Sequence, residues 1–368
     1  MKRRHFIRGA GAAGSVAAAA AIASSFPKPA IAQSMPSVKW RLASSFPKSL
    51  DTLYGGAEYI CKRVAAMTDG KFDITPHAAG QLLPPLQVMD AVQNKTIELG
   101  HTASYYYFGK DPTFAFATAI PFGLNTRQMN AWIAHQGGNE LLNEFYKDYN
   151  IHHLPGGHTG AQMGGWFRKE IKTVDDLKGL KMRIGGFAGV VMTKLGVVPQ
   201  QIAGGDIYPS LEKGTIDACE WVGPYDDEKL GFHKVAKYYY SPGWWEGSAM
   251  LSLMVNIGEW NKLPKSYQAA LESAGIDGMN WMTAKYDAQN PASLKKLAQA
   301  DVQFREFPPA VMDAFWVAAQ EVYKDLTAKN PKFKKIYDSY TAFQKDVVQW
   351  FQFAEGGFDR FMARKLRG

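Results

Sequence analysis

The chain has 368 residues, of which 46% are apolar and 21% charged, and its 42 Lys and Arg residues against 34 Asp and Glu residues give a formal net charge of +8. A chain of this length and composition can form two ordinary domains with cores of their own, which excludes an intrinsically disordered, collagen-like or coiled-coil protein. The basic surplus suggests a nucleic-acid or anionic-membrane partner, so its position in the chain decides what it means.

Residues 1–32 have the features of a signal peptide. Basic residues precede an Ala- and Gly-rich apolar stretch at 9–26, and small residues at 30–32 suit a signal peptidase. The opening Arg3-Arg4-His5-Phe6-Ile7-Arg8 resembles a twin-arginine export signal, which predicts a periplasmic protein. The alternatives are an uncleaved tether and a transmembrane anchor, for which the stretch is short and is followed by two prolines.

Removal of this segment takes away five basic residues and no acidic ones. The remaining chain has 37 basic against 34 acidic residues, a net charge of +3. A nucleic-acid groove needs Lys and Arg concentrated along one face, so this weak surplus argues against a nucleic-acid partner.

The cysteines and histidines do not form a zinc-type motif. Cys61 and Cys219 lie far apart, in a helix-like and a strand-like stretch, which favours two buried free thiols over a disulfide. His152, His153 and His158 cluster enough to suggest a metal. Adjacent residues on a strand point to opposite faces, however, and no further ligand follows at a zinc-like interval, so ordinary loop and core histidines are favoured.

From Val38 onward the hydrophobic periodicity alternates between strands and helices. The predicted elements are strand 38–44, helix 50–67, strand 72–76, helix 86–93, strand 96–103, an aromatic loop at 105–108, helical residues 124–149, strands 151–154, 163–168 and 181–184, helix 189–195, strands 215–221 and 250–256, and helices 265–281, 288–300, 310–328 and 331–366. This order predicts an α/β protein of two lobes with crossing strands and long C-terminal helices.

The predicted lobe I spans residues 33–160 plus 240–288, and lobe II spans 161–239 plus 289–368 with the C-terminal helices. Ligands bind in such folds beyond the carboxyl ends of the strands, in the cleft between the lobes. Residues at strand ends are therefore the first candidates for a functional site.

Arg183 is one such residue, since it closes the strand 181–184 and is followed by Gly185-Gly186. A guanidinium presents a planar fork that matches a carboxylate in two parallel hydrogen bonds. A surface salt bridge is the alternative interpretation.

Two acidic residues lie in unusually apolar surroundings. Glu220 and Trp221 end the strand 215–221, and Glu246 follows a pair of tryptophans. A buried acid must pair with a base, take up a proton or bind a metal. Gln162, beside a Gly-Gly turn, is a neutral polar candidate.

These candidates belong to a larger set of motifs. The set comprises VDDLKGLKMR at 174–183, GDIYPSLEKGTID at 205–217, Glu220-Trp221 and Trp244-Trp245-Glu246. In combination they resemble the periplasmic substrate-binding proteins of TRAP (tripartite ATP-independent periplasmic) transporters, in the branch that binds 2-oxo acids and lactate. The resemblance covers essentially the whole chain after the signal peptide.

The resemblance implies a type II-like periplasmic binding protein fold with mixed sheets, whose two lobes close on an organic acid. Arg183 stands at the family position that binds the carboxylate. A cation bridges ligand and protein, and the matching positions are Gln162, Glu220, the Trp221 carbonyl and Glu246. An aromatic residue from Tyr105–Tyr107 also faces the ligand, and Tyr106 is favoured.

Charge supports the cation independently. A cleft that holds Arg183, Glu220, Glu246 and a monocarboxylate carries two net negative charges, which a water-poor site tolerates badly. A divalent ion neutralises the site, so charge favours calcium, while the resemblance also permits sodium. Zinc is not expected without His or Cys ligands.

The leading hypothesis is a non-enzymatic receptor that captures pyruvate, 2-oxobutyrate, lactate or a similar acid and delivers it to the membrane permease subunits. One alternative is a periplasmic metal-dependent enzyme with Glu220 or Glu246 as general base. Another is a ligand-sensing partner of a membrane receptor.

The segment 331–366 carries more aromatic residues than one helix face needs. Packing over its own lobes is favoured, and a homodimer formed by helix exchange is the alternative.

Overall fold

The computed structural model describes residues 35–366, and the predicted signal peptide lies outside the described residues. Within the described part there are eleven strands, twelve α-helices and six short 3-10 helices. None of the helices between residues 35 and 366 has both the length and the apolar character that a membrane span requires.

The elements follow one another in three groups. The first group is β1 (Val38–Ser44), α1 (Leu53–Met67), β2 (Phe72–His77), α2 (Val88–Gln93), β3 (Leu99–Thr102), α3 (Thr126–His135), α4 (Gly138–Tyr146) and β4 (Ile151–His158). The second is β5 (Gly165–Phe167), β6 (Lys181–Arg183), α5 (Gly186–Lys194), β7 (Val198–Gln200), α6 (Gly204–Glu212), β8 (Ala218–Cys219), α7 (Pro224–Leu230) and β9 (Tyr238–Ser241). The third is β10 (Met250–Asn256), α8 (Ile257–Lys262), α9 (Lys265–Gln299), β11 (Gln303–Glu306), α10 (Pro309–Lys329), α11 (Pro331–Phe353) and α12 (Glu355–Leu366).

The strands form two mixed sheets, in the orders β2-β1-β3-β10-β4 and β11-β9-β5-β8-β6-β7. In the first sheet β1 runs parallel to β2 and β3, while β10 is antiparallel to both of its neighbours. In the second sheet β6 runs parallel to β7 and β8, while β5 is antiparallel to β8 and β9. The chain crosses between the sheets after β4, after β9 and, through α9, after β10. The predicted two-lobed fold with crossing strands is therefore confirmed. The predicted lobe limits stay predictions, although Ser241 still belongs to the second sheet.

The apolar content of β10 explains its central place. Every residue of MLSLMVN is buried, because β10 pairs with strands on both sides and both of its faces are covered. A strand covered in this way shows a continuous apolar run instead of an alternating pattern.

The helix α9 runs unbroken over 35 residues, where the sequence predicts two helices, and it contains Pro291. Proline inside a helix costs about 3 kcal/mol. Burial of Tyr286, Ser293 and Leu297 on this part of the helix offsets that cost.

Other predicted helices are shorter than the periodicity indicates. The helical stretch 124–149 is divided at Gly137, whose φ of 75° is left-handed, and the stretch 331–366 is divided at Ala354. The strands β7, β9 and β11 and the helices α6, α7 and α8 are not predicted, and each has nine residues or fewer. Elements of this length carry too few periodic positions to separate them from loops.

The histidines and cysteines belong to the core. His152 stacks on Trp260, and the Nε2 atom of His153 lies 2.9 Å from the Ser252 hydroxyl. Burial lowers the pKa of His152 to about 4 and that of His153 and His158 to about 3. Both cysteines are free and buried, as predicted. Among residues 35–366, no group of three or more His, Cys, Asp and Glu residues is arranged to hold a metal.

Candidate functional site

The predicted site residues meet where the second sheet faces the crossing segments. Arg183, the last residue of β6, is in register with Cys219, the last residue of β8, so Glu220 and Trp221 leave the sheet beside it. Gln162 lies on the segment that follows β4 and Glu246 on the segment that follows β9, and the Gln162 backbone N–H donates to the Glu246 carbonyl at 3.2 Å. The structure therefore brings together residues that are far apart in the sequence.

Arg183 is only 1% exposed, so it is not the surface salt bridge of the alternative interpretation. Its Nε atom donates to the Ile202 carbonyl at 3.1 Å, and its Nη1 atom donates both to the Glu220 carbonyl at 2.9 Å and to the Glu220 carboxylate. Burial alone lowers the pKa of an arginine, but the neighbouring Glu220 carboxylate raises the pKa of Arg183 above its ordinary value. The guanidinium is therefore fixed in place and charged.

The ring of Trp221 and the hydroxyl of Tyr106 complete the surroundings of this guanidinium. Its carbon atom lies 5.0 Å from the centre of the Trp221 ring, a cation–π distance. The Tyr106 hydroxyl is a hydrogen-bonding neighbour of Arg183. Because protein oxygens already engage Nε and Nη1, the whole fork of the guanidinium is not free for a second carboxylate.

The two acids are as buried as the arginine. Glu220 Oε1 accepts from Arg183 and from the Gly185 N–H at 2.8 Å, and burial raises the pKa of this carboxyl while Arg183 opposes the rise. Burial and the neighbouring Glu220 raise the pKa of Glu246 well above its ordinary value. One guanidinium thus stands against two carboxyl groups in a buried site.

Three buried oxygen atoms in this site have no hydrogen-bond partner among residues 35–366: Gln162 Oε1, Glu220 Oε2 and Glu246 Oε2. The amide nitrogen of Gln162 donates to the Thr159 hydroxyl at 3.0 Å, which leaves the amide oxygen as the group turned to the site. A buried polar atom without a partner costs about 1–3 kcal/mol. Oxygen-only donors of this kind fit a hard cation such as calcium or sodium.

A small cavity of about 10 Å³ is lined by Gln162 and Trp221 of this group, while Arg183, Glu220 and Glu246 are not among its lining residues. Its polar wall comprises Tyr105, Tyr106, Thr159, Gln162 and Trp221, and its apolar wall comprises Phe46, Leu53, Ala103, Val222, Ala249 and Leu251. A cavity of this size holds no more than one water molecule, so the cleft between the lobes is closed in this structure.

The structure also distinguishes the three tyrosines at 105–107. Tyr105 and Tyr106 line the cavity, whereas the Tyr107 hydroxyl accepts from the Met89 N–H and lies 3.0 Å from the Thr102 hydroxyl, away from the cavity. The sequence favours Tyr106 and leaves Tyr105 and Tyr107 open, because a run of three tyrosines does not show which rings face the cleft.

Close packing across the cleft explains the Gly185-Gly186 pair. A Cβ atom on Gly185 would lie 2.8 Å from the Tyr105 ring, and one on Gly186 would lie 2.6 Å from the Tyr105 Cβ. Gly186 also has a left-handed φ of 51°. Only glycine lets the start of α5 approach the first lobe this closely.

The chain belongs to family 7 of the bacterial extracellular solute-binding proteins (DctP), whose model matches residues 43–330. It is 48% identical to the monocarboxylate 2-oxoacid-binding periplasmic protein of Nostoc sp. over 89% of this chain and 90% of the relative. These matches confirm the resemblance to TRAP solute-binding proteins.

Two solved structures share the fold. A TRAP transporter solute-binding protein of Bordetella bronchiseptica, a mixed-occupancy dimer with copurified calcium and picolinate, is 54% identical with a TM-score of 0.89, over 90% of this chain and 99% of that one. A TRAP periplasmic solute-binding protein of Pseudoalteromonas atlantica, with bound sodium and pyruvate, is 40% identical with a TM-score of 0.85, over 88% of this chain and 98% of that one.

We expect the substitution Gly185→Ala to force the lobes apart, because the new methyl group would overlap the Tyr105 ring. The radius of gyration from small-angle X-ray scattering should increase, and the free energy of unfolding should fall by about 1–3 kcal/mol. Gly205→Ala is the matched control, since a Cβ atom there meets nothing within 4 Å. Identical scattering and stability of the two variants would contradict the packing argument.

Proposed function

We propose that the protein is the periplasmic receptor of a TRAP transporter, which captures a small 2-oxo or 2-hydroxy monocarboxylate together with a cation and delivers it to the membrane permease. The observation that carries this proposal is the group of three unpartnered buried oxygens beside a buried arginine. Buried polar atoms without hydrogen-bond partners cost stability, and we infer that a bound cation and anion supply the missing partners.

The cation is held by Gln162 Oε1, Glu220 Oε2, Glu246 Oε2 and the Trp221 carbonyl. Two carboxylates, one guanidinium and one monocarboxylate ligand leave two negative charges, so calcium neutralises the site and sodium leaves one charge. The Bordetella relative holds calcium and the Pseudoalteromonas relative holds sodium. On charge alone we favour calcium for this chain.

The acid is bound through its carboxylate by Arg183 and Tyr106. Pyruvate and picolinate, the compounds in the two related structures, each carry a donor atom on the carbon next to the carboxylate. Such an acid can place one carboxylate oxygen and its second donor on the same cation. This chemistry selects 2-oxo and 2-hydroxy acids such as pyruvate, 2-oxobutyrate and lactate over simple fatty acids.

The apolar wall of the cavity receives the short alkyl end of the acid, and closure of the lobes by a hinge motion seals the site. Capture and release then need no chemical step. Recovery of the acid unchanged after long incubation with protein and calcium is the result that separates this receptor from the metal-dependent enzyme.

We expect titration calorimetry of the mature protein to show binding of pyruvate, 2-oxobutyrate or lactate in the presence of calcium or sodium. A chelator in sodium-free buffer should abolish the binding, because the acid then loses the cation that bridges it to Gln162, Glu220 and Glu246. Succinate and sialic acid serve as controls of size and charge. Failure of every monocarboxylate to bind, or binding that is indifferent to both cations, would contradict the proposal.

Arg183→Lys should weaken binding of the acid by roughly 2–5 kcal/mol, because an ammonium cannot hold the Ile202 carbonyl, Glu220 and the ligand at once. Arg41→Lys is the matched control, since Arg41 forms an exposed ion pair with Glu98 on the first lobe. The dissociation constant from calorimetry checks this, and an unchanged value for Arg183→Lys would remove Arg183 from the site.

We also propose a homodimer through the end of the chain. The helix α11 packs on its own lobes, where the Tyr340 hydroxyl accepts a hydrogen bond from the Leu124 N–H at 2.6 Å, but α12 leaves Phe358, Phe361 and Leu366 at least half exposed. A groove of about 600 Å³ between α3, β4 and α9 adjoins this helix, since Arg127 at its rim pairs with Glu355. The groove suits α12 of a second copy, and the Bordetella relative is a dimer.

Light scattering tests the dimer. We expect the full chain after the signal peptide to have twice the monomer mass, and the double variant Phe358→Ser and Phe361→Ser to be monomeric with unchanged circular dichroism. A monomeric parent protein would contradict the proposal.

A further inference from the structure

A cluster of charged residues outside the binding site joins the two lobes. Asp51 lies between β1 and α1 of the first lobe, and its carboxylate contacts the ammonium of Lys229 and the hydroxyl of Tyr225, both on α7 of the second lobe. The Tyr225 hydroxyl donates at 3.1 Å. Lys285, on the helix α9, donates to the Asp51 carboxylate and to the Asp51 carbonyl, each at 2.7 Å.

On both lobes the residues of this cluster are close in sequence to residues of the candidate binding site. Leu53, two residues after Asp51, lines the cavity. On the other side, α7 begins at Pro224, shortly after Glu220 and Trp221, which belong to the candidate cation and ligand sites. A movement of Asp51 relative to α7 therefore changes the distance between opposite walls of the cavity.

The helix α7 is held firmly to the second half of α9. Tyr286 donates to Asp226 at 2.7 Å, and the Asn290 amide oxygen accepts from the Tyr225 N–H at 3.0 Å. Lys296 adds an ion pair to Glu228 at 3.2 Å. The first half of α9 packs on β4 and α1 of the first lobe. Asp51 is thus a first-lobe group that reaches across to a rigid pair of helices.

We propose that Asp51 with Tyr225, Lys229 and Lys285 forms a clasp that holds the lobes closed over the bound acid. Asp51 is a positioning residue in this inference, since it touches neither the acid nor the cation. The inference rests on the proposed function in one respect, because the clasp retains whatever the closed cleft contains.

The energetics suit a clasp that must also open. A single exposed ion pair contributes little to stability, because water and salt screen it. Here one carboxylate meets two ammonium groups and a hydroxyl, and it is 48% exposed. Burial opposes the charge, but Lys229 and Lys285 outweigh it and lower the pKa of Asp51 to about 2, so the carboxylate is ionised at neutral pH. The contact is strong enough to bias closure and exposed enough for water and salt to weaken it.

Asp51→Asn tests the clasp because the amide keeps the size of the side chain and removes its charge. We expect a three- to tenfold higher dissociation constant for pyruvate with calcium, caused by faster dissociation with little change in the association rate. Added salt should speed dissociation from the parent protein and have less effect on the variant. Without acid, the variant should also show a larger radius of gyration in X-ray scattering.

Asp90→Asn is the matched control. Asp90 pairs with Lys110 at 2.6 Å with similar exposure, and both residues lie on the first lobe. A second test compares the single variants Asp51→Asn and Lys229→Gln with the double variant. Their effects on the dissociation rate should not add, because either change opens the same contact.

If Asp51→Asn has the same dissociation rate, salt response and scattering as the parent protein, the clasp is overturned and the proposed function stays intact. If the parent protein binds no monocarboxylate, the proposed function fails, and the scattering comparison without ligand still decides whether Asp51 holds the lobes together.

Discussion

The charge balance around Arg183 is the constraint on which the rest of the site depends. A buried guanidinium requires a buried anion, and Glu220 supplies it through one carboxylate oxygen. Glu246 is buried beside this pair, and one arginine cannot neutralise the charge of two carboxylates. Burial accordingly raises the pKa of both carboxyl groups. Breaking such a buried network by removing one charge is costly. The outer oxygens of both acids have no partner among the described residues, and in our proposal a cation completes them.

The fold holds this arrangement by placing its parts on different elements. Arg183 and Glu220 sit at the ends of adjacent parallel strands, where their relative position is fixed by backbone pairing. Gln162 and Glu246 sit on segments that cross between the lobes, where their backbones are hydrogen-bonded to each other. In the proposed function these segments take part in the hinge motion. In the closed arrangement Gly185 and Gly186 pack closely against Tyr105. In our inference the Asp51 clasp also holds the lobes together. Cation, acid and closure are therefore coupled parts of one binding event.

Much of the fold and several site residues can be predicted from the sequence. Arg183, Glu220 and Glu246 stand out in the sequence because charged side chains are seldom placed among apolar residues at the end of a strand. The continuous helix α9 cannot be predicted locally, since tertiary packing overrides the penalty of Pro291. The hydrogen bonds of Arg183 to Ile202 and Glu220, and the contact of Asp51 with α7, depend on side-chain positions set by the whole fold. No local pattern encodes such long-range contacts, and for the same reason only the structure separates Tyr105 and Tyr106 from Tyr107.

The most direct measurement is the calcium affinity of the protein at increasing pyruvate concentration, for the parent chain and for Glu246→Gln. If cation and acid complete one site, pyruvate must strengthen calcium binding by the same factor by which calcium strengthens pyruvate binding. We predict a coupling of at least tenfold in the parent protein and its reduction or loss in Glu246→Gln. Independent binding of calcium and pyruvate, with affinities that do not change in each other's presence, would contradict the account.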